Sequence, residues 1–243
     1  MNPVFVFLIC AYLLCACENN KTQKSIEKSP TPSVQDHTRS TNIQTHPDLV
    51  DVQQAHSEIQ IELKYTTSAN FLGEKLYSKI DKAYLQKDVA LRLSRVQQAL
   101  EKKYPGYHLL IFDALRPVSV QQKMWDALDS IVPVERAKFV SNPKNRSLHN
   151  FGAAVDISIQ DANGKLLDMG AGFDDIRKIA YPNLEDSFLR AGLLSPQQLS
   201  NRLLLRKLMQ SEGFRQLPTE WWHYNACSRN EAKDKYEVVL QEP

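Results

Sequence analysis

Residues 153–160, AAVDISIQ, place one carboxylate inside an apolar, strand-forming run. In an extended chain Val155, Ile157 and Ile159 face one way, and Asp156 and Ser158 face the other. A carboxylate withdrawn from water is costly unless it is paired, hydrogen-bonded or bound to a metal. Any fold of this chain must therefore bring a partner to Asp156. His149 precedes the strand, and Gly152, Ala153 and Ala154 leave room for the chain to fold it back beside Asp156. Two arrangements satisfy the demand: a hydrogen-bonded Ser/His/Asp cluster, or a metal site. The segment by itself does not choose between them.

A second segment, PTEWWHYN, adds Glu220 and His223. His149, Asp156 and His223 together give two imidazoles and a carboxylate, a catalytic zinc arrangement with its fourth position open. Glu220 would then be an unliganded acid beside the metal. Glu220 and His223 do not share a face in a regular strand, so a turn, bulge or kink is expected there. The His-Glu-x-x-His signature is absent, which excludes the zincin class.

The chain opens with an apolar run over residues 4–16, then turns polar at Glu18. The run is too short to span a bilayer comfortably and fits the hydrophobic region of a signal peptide. Leu14-Cys15-Ala16-Cys17 resembles the lipoprotein box, without a positively charged start. Residues 1–16 are expected to be a lipoprotein signal peptide, and Cys17 the lipidated residue and membrane anchor. Residues 17–47, rich in Ser, Thr, Asn, Gln, Lys and Pro, read as a disordered tether. About 30 such residues have an r.m.s. span of roughly 30 Å. His37 and His46 lie in it and are expected to be solvated. Cys10 and Cys15 would leave with the signal, so Cys227 would be alone, without a disulfide partner, and is expected to be buried and inert. The formal net charge is +2 with no basic block, so charge does not suggest a nucleic-acid partner. No protein partner is evident.

The folded domain is expected over residues 48–243. EIQIELKY (58–65) alternates, with Ile59, Ile61, Leu63 and Tyr65 on one face, as a half-buried strand does. Residues 84–103 carry Leu85, Val89, Leu93, Val96 and Leu100 at helical spacing. YHLLIF (107–112) reads as a strand, with His108 packing rather than ligating, and a helix follows Pro117. Asp161-Ala162-Asn163-Gly164 marks a hairpin turn between VDISIQ and KLLDM. A further helix starts near Ser195, its N-cap, and stops at Gly213. Strands are expected around 214–224 and 236–240. The mixture predicts an α+β fold: a central antiparallel sheet with flanking helices.

Several pieces carry a resemblance. SLHNFGAAVDIS is similar to the Ser-x-His-x-x-Gly-x-Ala-x-Asp pattern of the zinc D,D-peptidases, and EWWH to their Glu-x-x-His. YTTSANF (65–71), DALRPV (113–118) and DMGAGFDD (168–175) narrow the resemblance to the D-alanyl-D-alanine dipeptidase branch. The resemblance runs from about residue 49 to 225, outside the signal and tether. It implies the Hedgehog/D,D-peptidase zinc fold and one Zn2+ held by His149, Asp156 and His223. It also implies Glu220 as general base and then general acid, Arg116 as the oxyanion donor, and Asp174 as the partner of the substrate's free ammonium. Ser147 and Tyr65 would line the pocket.

The same residues have plainer readings. Arg116 could pair with Asp113 at the surface, and Asp174 and Asp175 could cap a helix. Trp221 and Trp222 could wall the pocket or pack in the core. The expected activity is hydrolysis of D-Ala-D-Ala to two D-alanines by metal-activated water, in the bacterial cell envelope, lipid-anchored on the periplasmic face. The alternatives are a D,D-carboxypeptidase or endopeptidase acting on peptidoglycan stem peptides, and a non-catalytic zinc-stabilised wall-binding module.

Overall fold

In a computed structural model the structure describes His46 and residues 48–242. The expected signal peptide, Cys17 and most of the expected tether lie outside the described residues. Among the described residues, no helix is long and apolar enough to cross a membrane.

The chain order is β1 (Leu49–Asp51), α1 (Val52–Ala55), β2 (Gln60–Ile61), β3 (Tyr84–Gln86), α2 (Lys87–Lys103), β4 (His108–Asp113), α3 (Val118–Asp126) and α4 (Pro133–Arg136). It continues with β5 (Ala154–Gln160), α5 (Glu185–Arg190), α6 (Pro196–Ser211), β6 (Arg215–Gln216), β7 (His223–Asn225) and α7 (Arg229–Lys235). Five strands form one sheet in the order β2-β4-β5-β7-β6, and β1 pairs with β3 in a small second sheet. The α+β class holds.

The sheet differs from the expectation in one respect: it is mixed. β2 runs parallel to β4, while the other pairs are antiparallel. Parallel neighbours need a long crossover, and here the connection from β2 to β4 passes through α2. α2 lays Val89, Leu93, Val96 and Leu100 into the core, each fully buried. Its start is later than the periodicity suggests, because Tyr84–Gln86 pairs with β1.

Three other expected strands are shorter or absent. Ile59, Leu63 and Tyr65 are buried, but only Gln60–Ile61 is strand, and Lys64–Thr66 closes as a 3-10 turn. KLLDM returns beside β5 through a single bridge, Gln160 to Leu166. Residues 236–240 are not a strand. They are held instead by Val118 N donating to Val239 O and Val239 N donating to Asn150 O. The pairing with a neighbouring strand is brief in the first two places and absent from the third.

His46 was expected to be solvated and is 6% exposed, with neither ring nitrogen hydrogen-bonded. Its carbonyl accepts from Leu49 N, so the folded chain reaches back at least that far. Cys227 is half-buried, and burial raises its thiol pKa, in keeping with an unreactive thiol. The α6 N-cap is as expected: Ser195 Oγ accepts from Gln198 N, and the Gln198 side chain accepts from Ser195 N.

Gly152 shapes the approach to the site. It sits at φ +63, a left-handed conformation that glycine adopts freely. A Cβ there would come within 2.8 Å of Leu49 Cδ2. The short 3-10 turn Leu148–Phe151 therefore ends abruptly, and β5 begins two residues later.

Candidate metal centre

Asp156 and His223 are cross-strand partners in the β5–β7 ladder. Residues 217–222 form the turn between β6 and β7 and supply the bend that Glu220 and His223 require. His149 comes from the turn before β5. Two backbone bonds seat it: Arg116 N donates to His149 O, and Gly152 N donates to the same oxygen. Ser147 Oγ caps this turn by accepting from His149 N.

The three side chains converge. His149 Nε2 lies 3.2 Å from His223 Nδ1. His223 Nδ1 lies 2.9 Å from Asp156 Oδ1, and His149 Nε2 lies 3.5 Å from that same oxygen. All three residues are buried. The other ring nitrogens identify the protons. His149 Nδ1 is 2.6 Å from Ala114 O, and His223 Nε2 is 2.9 Å from Asn225 Oδ1. Both oxygens can only accept, so both of these nitrogens donate. In the neutral rings, the two nitrogens that face each other present lone pairs, next to a carboxylate.

Three acceptors with no hydrogen between them repel unless a cation sits among them. Nitrogen and oxygen ligands about 2.0–2.2 Å from a tetrahedral ion stand roughly 3.3–3.6 Å apart, close to the spacings here. The donor set fits a divalent ion of zinc's class. The electrostatics show the same demand for positive charge. Burial opposes an imidazolium at His223, but Asp156 outweighs it and pushes the pKa up to about 9. Burial would raise the Asp156 pKa, yet the two imidazoles hold it well below the usual carboxylate range.

One cavity of about 160 Å³ collects the other residues expected at the active site: Tyr65, Arg116, Ser147, Asp174 and Glu220 all line it with the three donors. Glu220 Oε2 is 3.8 Å from His223 Nδ1. Its carboxylate accepts no hydrogen bond from any described residue. The side chain is 31% exposed, through the cavity mouth. Removal from bulk water raises its pKa, and His223 partly offsets that.

Arg116 is buried rather than a surface residue, and it does pair with Asp113. Nε and Nη2 both donate to Asp113 Oδ2, at 2.8 and 2.6 Å. Nη2 lies 3.6 Å from Asp156 Oδ2. Asp113 also accepts from the Tyr77 hydroxyl at 2.6 Å. A bulge in β4 places Asp113 opposite Asp156 where Phe112 would otherwise stand. Sequence reading gave Asp113 only a surface role and missed Tyr77 and Asn225. The position of Asn225, two residues after His223 and so on the same face of the strand, was the available signal.

Asp174 does not cap a helix. It sits in a loop at φ +59, a conformation that costs a non-glycine residue about 1–2 kcal/mol. Tyr65 Oη donates to it at 2.9 Å. Burial, with Asp156 nearby, holds its pKa well above the ordinary value. Asp175 instead turns to Arg177. Trp222 lines the cavity and packs edge-on against Phe173, 5.5 Å between centroids. Trp221 is core.

A family profile described as D-ala-D-ala dipeptidase matches residues 45–241. The chain belongs to this family. It is 32% identical over 177 residues to the D-alanyl-D-alanine dipeptidase of Escherichia coli (strain K12), covering 73% of this chain and 83% of that one. It is 30% identical over 168 residues to the protein of the same name from Synechocystis sp. (strain ATCC 27184 / PCC 6803 / Kazusa), covering 58% and 68%. The Enterococcus faecalis (strain ATCC 700802 / V583) protein of that name is 29% identical over 180 residues, covering 68% and 85%. A solved structure described as VanYB in complex with D-Alanine-D-Alanine aligns with TM-score 0.33 and 15% identity over 65% of this chain and 80% of that one.

If the Asn225 amide oxygen fixes the His223 tautomer, Asn225→Leu weakens divalent-metal binding about 10–100-fold. Competition against a chelator measures it. Unchanged affinity would show that His223 needs no such partner.

Proposed function

We propose that this chain hydrolyses the D-Ala-D-Ala dipeptide to two D-alanines, with one zinc ion held by His149, Asp156 and His223. The observation that carries the proposal is the convergence of those three donors beside a free carboxylate, Glu220, in a chain of the dipeptidase family. Bound there, zinc supplies Lewis acidity and lowers the pKa of a coordinated water toward about 7.

The chain's own residues do the rest. Glu220 takes the proton of the attacking water and delivers it to the leaving amine. Its raised pKa suits the first half of that task, because a carboxylate closer to neutrality takes up the water's proton more readily. Arg116 holds a permanent positive charge where the carbonyl oxygen becomes negative. Asp113 uses only part of its donor fork, leaving N–H groups for the cavity. Asp174, with Tyr65 beside it, receives the substrate's ammonium, which supplies the positive charge its buried carboxylate lacks. Ser147 lines the same cavity. An ammonium reaches Asp174 only when a single residue precedes the scissile bond, so longer peptides leave that charge unpaired.

The reading extends to the amino terminus: cleavage after Ala16, acylation of Cys17, and a tether over residues 17–47 that holds the domain 48–243 on the periplasmic face of a bacterial envelope membrane. The Leu14-Cys15-Ala16-Cys17 sequence supports it.

Glu220→Gln lowers kcat on D-Ala-D-Ala about 10²–10⁴-fold while bound zinc stays at one per chain. Near-normal turnover, or activity that survives chelation, would refute the assignment. Faster cleavage of a muramyl pentapeptide than of free dipeptide would favour a carboxypeptidase instead. For the anchor, cells fed labelled palmitate should label the wild-type protein and not Cys17→Ser. Equal labelling of both would remove the anchor from the account.

A further inference from the structure

Asp174 stands in a stretch, residues 168–177, with no helix or strand of its own, and its backbone is left-handed. Beside it, Asp175 accepts from Arg177, and Phe173 packs against Tyr65, Phe112 and Trp222. The two ends of the loop are held from α6. Arg202, 1% exposed, donates from Nε to Met169 O at 2.6 Å and from Nη2 to Ile179 O at 2.9 Å. One guanidinium thus grips both ends of the loop. Its remaining side faces Glu185 at 3.4 Å, and Glu185 is held by Arg206 at 2.6 Å.

Two further contacts tie the loop to the same helix. Asn201 Nδ2 donates to Asp168 O at 2.8 Å. Gly170, at φ +74, lies so close that a Cβ would come within 2.5 Å of Leu194 Cδ1 and 3.0 Å of Gln198 Oε1. Arg202 does not line the catalytic cavity. A buried arginine spent on two backbone carbonyls is an expensive way to fill a core. It is an effective way to fix a loop, because a rigid, planar fork holds two acceptors in one geometry and a lysine cannot.

We infer that Arg202 is a positioning residue for Asp174, and through it sets the preference for substrates with a free amino group. The inference rests on the role given to Asp174 above. Gripping the loop at 169 and 179 holds the Asp174 carboxylate against Tyr65 and facing the cavity. Releasing either end lets the left-handed residue relax and the carboxylate move away.

The test uses the full zinc-loaded chain with D-Ala-D-Ala and N-acetyl-D-Ala-D-Ala as substrates, comparing wild type, Asp174→Asn, Arg202→Lys and Arg202→Met. Asp174→Asn is expected to raise KM for the free dipeptide about tenfold or more and to shrink the preference over the acetylated form. Both Arg202 variants are expected to shift KM and preference the same way, with kcat within about threefold of wild type and zinc content unchanged. Arg202→Lys keeps a charge opposite Glu185, so the test stands if Arg202→Met does not fold. Wild-type KM and preference in the Arg202 variants, alongside a clear Asp174→Asn effect, would overturn the inference. So would a fall in kcat alone, the mark of general damage. An Asp174→Asn enzyme with unchanged KM would instead overturn the role of Asp174 itself.

Discussion

Three hydrogen-bond acceptors aimed at one point govern the rest of this structure. His149 Nε2, His223 Nδ1 and Asp156 Oδ1 cannot sit 2.9–3.5 Å apart in a buried place without positive charge among them. The fold is arranged to hold them there all the same. The β5–β7 register sets Asp156 against His223. The Ala114 carbonyl and the Arg116 amide fix His149 at the edge of β4. Asn225, on the same face of β7, turns the second imidazole. Donors held this way favour a divalent ion among them.

The cavity around that point is rich in carboxylates. Asp156, Asp174 and Glu220 line it, and Asp113 lies just behind Arg116. Their environments separate their tasks. Asp156 faces the imidazoles and stays ionised. Glu220 stands apart, without a hydrogen bond among the described residues and with a raised pKa. Burial and its neighbour Asp156 push the Asp174 pKa well above the ordinary value. In the proposed reaction one of these acids holds metal, one carries a proton and one meets an ammonium. Arg116 is the buried guanidinium that lines the cavity, and Asp113 and Tyr77 keep it in place.

Much of this site was legible in the sequence, because its residues are chemically out of place there. A carboxylate in AAVDISIQ needs a partner, and two histidines with a spare glutamate are the natural candidates. The supporting residues were not legible. Tyr77 and Asn225 look like ordinary polar residues until the fold sets their side chains against Asp113 and His223. The helices at 87–103 and 196–211 followed from apolar spacing and caps. Strand limits did not, since Leu63 and Val239 are placed by burial while their backbones bond outside any strand. Nor did periodicity reveal the parallel pairing of β2, which depends on a crossover through α2 rather than on any local signal.

The most direct test of the account is anomalous diffraction at the zinc edge from crystals of the zinc-loaded protein. The account predicts one strong peak per chain, at the point shared by His149 Nε2, Asp156 Oδ1 and His223 Nδ1, with the Glu220 carboxylate near it and outside its ligand shell. A peak elsewhere, or none at that point with zinc bound in solution, would contradict it.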